Sequence, residues 1–372
     1  MPQLDEVASE IRVGQPLPFD ILNEQGRLLL ARGQIVASAA QLAQLIERGA
    51  TVDQAELDRV LAVKAANPDR APVTLFDLWA QAVTRLEQLL ASITQPGFPA
   101  RLDRFSTDFV ALARRDVDIA VYLTVRQNPN RLQRYGLAHA LHTALVAELA
   151  AARLGWADAD RLRFVKAALT MNLGIVELQG RLAASDLRVT EAQRAELRAH
   201  PQTAVDALRG AGVDDELWLQ AVLQHHERRG GSGYPAALQE PAALAVALRL
   251  ADVFIAKISP RASRDALTIQ EAARQMFLEA DGSPVAAAVV KEYGLFPPGD
   301  FVQLASGERA VVVRRGADAR TPMVAAITSR IGAPIVQTVP RDTRQKEHAI
   351  VGAAAERKLV VRVPPERLYG LA

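Results

Sequence analysis

The chain contains no cysteine, which excludes disulfides and thiolate metal sites and suits a reducing compartment. It also lacks any apolar run close to the roughly 18 residues that a membrane helix needs. The best candidate, Ala242 to Ala256, is interrupted by Arg249 and Asp252. The opening Met1-Pro2-Gln3-Leu4-Asp5-Glu6 has neither the basic nor the apolar region of a secretion signal. Charge of one sign is missing too: 44 basic residues face 42 acidic ones, a net charge of +2. The sequence pI near 9.0 therefore makes no electrostatic case for a nucleic-acid partner. These absences point to a cytoplasmic protein with no membrane insertion.

What is there reads as ordinary globular chain, 49% hydrophobic and 23% charged, long enough at 372 residues for two or three domains. The expected architecture is mostly α: a helical bundle with a small α+β module before it and a small β-barrel-like module after it. Residues 1–58 form the first module, with a hairpin from Leu17 to Leu30 turning at Asn23-Glu24-Gln25-Gly26. A helix then starts at Ser38 and stops at Gly49. Residues 59–72, charged and carrying Pro68, read as a linker. A helical lead-in covers 73–133 and the bundle proper 134–294, with breakers at Gly155, Gly180, Pro201, Gly210-Ala211-Gly212 and Gly230-Gly231. From 295 to 372 the apolar period changes to two. Short strands are expected around Phe301–Leu304, Ala310–Val313, Val324–Ile327, Val336–Val339, Ile350–Val351 and Val360–Val363.

Chemistry is expected where polar residues interrupt the apolar faces of the bundle. His142 shares a face with Ala138, Leu145 and Leu149, and Asn172 lies in line with Ala168, Leu169 and Val176. His225 and His226 follow Trp218, Ala221 and Val222, and Asp252 sits between Leu248 and Ile255. The steps from His142 to Asn172, His200, His225 and Asp252 are each about 25 to 30 residues, a helix and its return. Ligands so spaced come from successive helices and can meet at one level, where imidazoles and a carboxylate suit a divalent metal. Each residue alone also has a plainer account. His139 reads as a packed, hydrogen-bonded histidine, His200 as a residue at a helix end, and Asp252 as a partner of Arg249 or Lys257.

The loop decides between these accounts. His225-His226-Glu227-Arg228 followed by Gly231-Ser232-Gly233-Tyr234-Pro235 resembles the signature of HD-GYP domains, helical metal-dependent phosphodiesterases that open cyclic di-GMP. The similarity runs from about Arg134 to Tyr293. It takes in His142-Thr143 with Val146-Ala147, then Val189-Thr190-Glu191 with His200-Pro201, and Leu250-Ala251-Asp252-Val253-Phe254. The resemblance implies an HD-type bundle with His142, His200, His225, His226 and Asp252 as metal ligands. It also implies departures. Met171-Asn172 stands where the family has its His-Asp pair, Ile175 where it has a lysine, Gly230 and Ile255 where it usually has aspartates.

Asn172 offers one neutral carbonyl where a bridging carboxylate offers two anionic oxygens, and Met171 replaces an imidazole by a thioether. Two-metal hydrolysis needs cations roughly 3.5–4 Å apart, so loss of the bridge weakens a second site. His200, His225 and His226 are left able to hold one divalent transition metal (iron, manganese or zinc) with an open position. The expectation is a degenerate HD-GYP signalling or regulatory protein that binds cyclic di-GMP, a related nucleotide or a signalling protein, with weak or no hydrolysis. Arg228, Arg229, Arg261 and Arg264 are its candidate phosphate or partner contacts, beside the Gly231 to Pro235 turn. An active phosphodiesterase on a mononuclear site and a ligand-free dimer scaffold are the alternatives, and the oligomer, a homodimer included, stays open.

Overall fold

The computed structural model describes residues 2–11, 13–66, 73–127, 129–280, 282–354 and 363–370. The first module folds as expected and adds one strand. Strands β1 (Ile21–Leu22), β2 (Leu28–Leu30) and β3 (Thr51–Val52) make an antiparallel sheet in the order β2-β1-β3. The hairpin turns on Asn23, whose side-chain oxygen accepts from the backbone N–H groups of Gln25 and Arg27 at 3.0 and 2.9 Å. Helix α1 (Ala39–Glu47) begins where Ser38 accepts from the Gln41 N–H at 3.1 Å. Leu4, Leu17, Phe19, Ile21, Val36 and Val52 form a core separate from the bundle.

The expected linker is corrected in part. Helix α2 (Gln54–Ala66) runs through Val60 and on to Ala66. Its alanines, leucines, lysine and glutamate are good helix formers, and no breaker intervenes before Pro68. The remainder of that stretch, 67–72, lies outside the described residues.

The bundle consists of α3 (Leu75–Ala91), α4 (Phe98–Arg115), α5 (Val117–Val125), α6 (Tyr135–Arg153), α7 (Asp158–Thr170), α8 (Val176–Ala183), α9 (Glu191–Gly210), α10 (Glu216–Gln224), α11 (Ala243–Ile258), α12 (Ile269–Glu279) and α13 (Pro284–Tyr293). One hydrophobic core reaches from Trp79 to Tyr293, so the lead-in helices α3 to α5 share it with the helices behind them. Helix α6 is the central strut. Nearly every residue from Tyr135 to Ala151 is buried, and its many alanines let neighbouring helices approach on all sides. The break expected at Pro201 does not occur. Helix α9 passes straight through it, because the carbonyl that loses its backbone partner there finds a side-chain donor, described below.

The last module is an antiparallel sheet of β4 (Phe301–Leu304), β5 (Arg309–Arg314), β6 (Met323–Thr328), β7 (Pro334–Asp342) and β8 (Ile350–Ala353), ordered β7-β6-β5-β4-β8. Among the described residues β7 and β8 are its edges. Most of the expected strand at Val360–Val363 lies outside the described residues. Alternation along the strands sends Val302, Ala310, Val312 and Val324 into one core and Val311, Ala325 and Ile327 into another. The second core is shared with Phe76 on α3, Tyr122 on α5 and Leu368 on the short helix α14 (Pro365–Leu368). Arg315 fastens this sheet to the bundle, 2.6 Å from Asp118 and 3.0 Å from Glu292.

Candidate metal centre

Two capped helices deliver the three histidines. Helix α9 opens with a reciprocal cap between Thr190 and Gln193 and carries His200 in its middle. Helix α10 opens on Asp215, which accepts from the Trp218 N–H at 3.1 Å, and ends at Gln224, so His225 and His226 follow at its C-terminus. One ring nitrogen from each of His200, His225 and His226 falls within 4.8 Å of the others.

The hydrogen bonds settle which nitrogens carry protons. His200 Nδ1 lies 2.6 Å from the Leu197 carbonyl and His225 Nδ1 lies 2.6 Å from the Val222 carbonyl. A carbonyl only accepts, so both Nδ1 atoms donate and both Nε2 atoms carry bare lone pairs. These two lone pairs face each other across 3.1 Å. Burial, and after it the neighbouring His226, pushes the imidazole pKa of His200 down to about 4. Burial and the adjacent His200 bring His225 to about 4, and burial with His225 brings His226 to about 3. A proton is therefore a poor occupant of the gap at neutral pH. An electron-pair acceptor fits it, and three neutral imidazoles are the donor set of an open divalent transition-metal site.

The loop after α10 is a shaped wall of this centre. Glu227 is buried, and its carboxylate accepts from the N–H groups of Ala236 at 2.6 Å and Leu238 at 3.0 Å, folding the loop back on its own start. Gly233 lies against that start: a Cβ there would sit 2.4 Å from Arg228 N and Glu227 Cα. Tyr234 then stacks on His226, ring centroids 4.6 Å apart at 15°, ahead of a cis bond to Pro235. Gly230 and Gly231 both take left-handed backbone, and the Gly230 N–H is bonded to the Gln239 carbonyl at 3.0 Å, so this end of the loop is anchored. Ser232 and Arg228 are exposed, and Arg229 lies 3.7 Å from Glu240 at the surface.

Asp252 and the α6 histidines are arranged differently from the expected ligand set. Asp252 is bonded to His139, Nε2 to Oδ1 at 2.7 Å. Its expected partners Arg249 and Lys257 point instead to Glu279, at 3.6 and 3.2 Å. Burial raises the Asp252 carboxyl pKa, but the His139 bond and the charges of His139, His226 and His225 outweigh it and hold it far below the usual range. His225 and His226 both act on this carboxylate, so it lies within electrostatic reach of the triad. His142, one turn beyond His139, stacks on Trp79 at 6.3 Å and stands outside the cluster. His200 is a mid-helix residue and not a terminal one.

His139, expected as a packed, hydrogen-bonded histidine, is that, and it is the side chain that meets Asp252. It stacks on Tyr135 at 5.5 Å, and Arg261 lies 5.0 Å above that tyrosine ring and donates to its hydroxyl at 2.9 Å. The Arg261 Nε is buried with no hydrogen-bond partner among the described residues, while Arg264 donates to the Ala256 carbonyl at 2.5 Å. Met171, Asn172 and Ile175 are all buried, and the Asn172 amide nitrogen has no acceptor among the described residues.

Comparison with known proteins finds a match over the stretch that carries this geometry. Residues 119–283 match the HD domain family. A cyclic di-GMP phosphodiesterase of Pseudomonas aeruginosa is 34% identical over 159 residues, which cover 41% of this chain and 38% of that relative. The central part of the chain is thus similar to HD domains and to this phosphodiesterase. An HDG"Y"P protein of Bdellovibrio bacteriovorus aligns over 76% of this chain and 96% of its own, with 16% identity and a TM-score of 0.48. The chain spans under two fifths of the length of that curated relative, and the family match falls on the bundle. Within that bundle, α9, α10 and the loop assemble the triad, while α6 and α11 supply the His139–Asp252 pair. No helix among the described residues is long and apolar enough to cross a membrane.

Proposed function

We propose that this chain is a regulatory HD-GYP protein. It holds one divalent transition metal at His200, His225 and His226 and binds a cyclic dinucleotide of the cyclic di-GMP type, with little or no hydrolysis. The observation that carries the reading is the contrast between the triad and the residues standing where the resemblance puts the His-Asp pair. On one side two bare imidazole nitrogens face each other at 3.1 Å. On the other, Met171 and Asn172 offer no anion, and Asp252 is committed to His139. A bound metal would supply Lewis acidity and a more acidic water. The chain's own part is to keep three imidazoles neutral, to pack Tyr234 on His226, and to present Arg261, Arg264, Arg228 and Arg229 to phosphate. Ile175 provides no cation toward the same phosphate.

Protein purified without chelator tests this directly. Metal analysis should give one equivalent, lost in His200→Ala and His225→Ala, and cyclic di-GMP should raise the melting temperature without forming a linear dinucleotide. Metal-dependent appearance of that linear product would replace the proposal by an active mononuclear phosphodiesterase. Absence of both metal and nucleotide-dependent stabilisation would leave only a scaffold.

A further inference from the structure

Helix α9 contains an energetic oddity one residue from a metal-centre histidine. Pro201 sits in its interior, where proline is strongly unfavourable relative to alanine because it has no N–H to give. In an α-helix the N–H of residue 201 would bond the carbonyl of residue 197. That carbonyl, Leu197 O, is the one that accepts the His200 imidazole N–H at 2.6 Å.

His225 reaches back by the same three residues to Val222 O, also at 2.6 Å. There the carbonyl is available for a different reason: α10 ends at Gln224, and the carbonyls of a last turn have no helical N–H to serve. One ring uses a helix end and the other uses a proline. The outcome is the same for both, Nδ1 protonated and Nε2 bare, and it is what brings the two Nε2 atoms face to face at 3.1 Å.

We infer that Pro201 is a positioning residue for the three-histidine centre: by withholding a backbone N–H, it reserves the Leu197 carbonyl for His200 and so fixes the tautomer and orientation that leave Nε2 free to bind. With alanine at 201 the backbone N–H competes for that carbonyl. The imidazole then loses its exclusive acceptor and populates the tautomer with Nε2 protonated, which cannot ligate. Partners that orient a ligand from behind are typically worth about 10- to 100-fold in metal affinity. Because the carbonyl has two lone pairs and can be shared, the lower end is expected here.

The inference rests on the metal reading above, and its test keeps the two separable. Pro201→Ala in the full chain should bind Mn²⁺ or Zn²⁺ about tenfold more weakly than the parent while its metal-free form melts at a higher temperature. A proline kept only for helix shape would move stability and metal affinity in the same direction. Imidazole nitrogen NMR on histidine-labelled, metal-free protein supplies the second readout: His200 protonated at Nδ1 alone in the parent, and at both positions in exchange in the variant. An unchanged His200 tautomer, or metal affinity within twofold of the parent, overturns the inference. If the parent binds no metal at all, the metal reading fails, and the tautomer signature alone decides the role of Pro201.

Discussion

His139 Nε2 lies 2.7 Å from the Asp252 carboxylate, and both side chains are buried against α6 and α11. The pair explains why a carboxylate is tolerated on the apolar face of α11: its charge is held by a hydrogen-bonded imidazole. His139→Ala should then cost about 3–5 kcal/mol, because it strands a buried carboxylate. Asp252→Asn should cost clearly less, since the amide still accepts from the ring and carries no charge to desolvate. Urea unfolding of the two metal-free variants compares them. Equal losses would mean that Asp252 does not depend on His139.

His142 carries a different consequence, through pH. Burial, and after it the charge of His139, lowers its pKa from 6.5 to about 3. The unfolded chain therefore takes up a proton that the folded chain refuses. Its contribution to stability is complete above pH 6.5 and falls away as pH drops toward 3. His142→Leu should remove about 1.4 kcal/mol per pH unit from the slope of unfolding free energy between pH 6 and 4.5. Denaturant titrations of parent and variant across that range measure it, and parallel curves would rule it out. The same variant should still show metal-dependent stabilisation, because His142 stands outside the triad.

The triad was legible in the sequence because each member interrupts something. His200 precedes a proline, and His225-His226 ends an apolar helix just before a glycine-rich turn. The choice between His139 and His142 was not legible. Helix α6 is buried on nearly every side, so a 3.6-residue period does not say which of two histidines one turn apart meets α11. Asp252 was visible as a buried acid, but its obvious partners, Arg249 and Lys257, are three and five residues away on its own helix. The true partner lies 113 residues back in the chain. Pro201 read as a helix break because local preference says so, and what overrides it is a side-chain bond to a carbonyl that no propensity scale sees. Strand β3, two residues long, was too short to leave a pattern.

Gly233→Ala tests whether the loop acts as a wall or as a tether. The new Cβ would fall 2.4 Å from backbone atoms of Glu227 and Arg228, which cannot move without releasing the Glu227 carboxylate from Ala236 and Leu238. A cost of about 1–3 kcal/mol in stability is expected from the forced shift. Tyr234 should leave the face of His226, seen as a changed tyrosine near-ultraviolet signal. Retention of that signal with unchanged stability would show that the loop accommodates the methyl group elsewhere.

The strongest prediction concerns the half-site that Met171 and Asn172 occupy. Asn172 is buried with an amide nitrogen that finds no acceptor, so the position already carries a cost that a bound cation and a carboxylate would remove. Asn172→Asp alone should lower metal-free stability, because it places a carboxylate on the apolar face of the bundle without a partner. Combined with Met171→His, it restores an imidazole and an anionic bridge, and added Mn²⁺ should then recover the lost stability through binding to the folded state only. Metal analysis of the double variant should rise from one equivalent to two. Hydrolysis of cyclic di-GMP should appear with the second equivalent and vanish when His225 is also replaced by alanine. Two bound metals without turnover would place the missing chemistry at Ile175, where no cation faces the phosphate. A stoichiometry that stays at one would show that Asp252 cannot leave His139 to complete a second site.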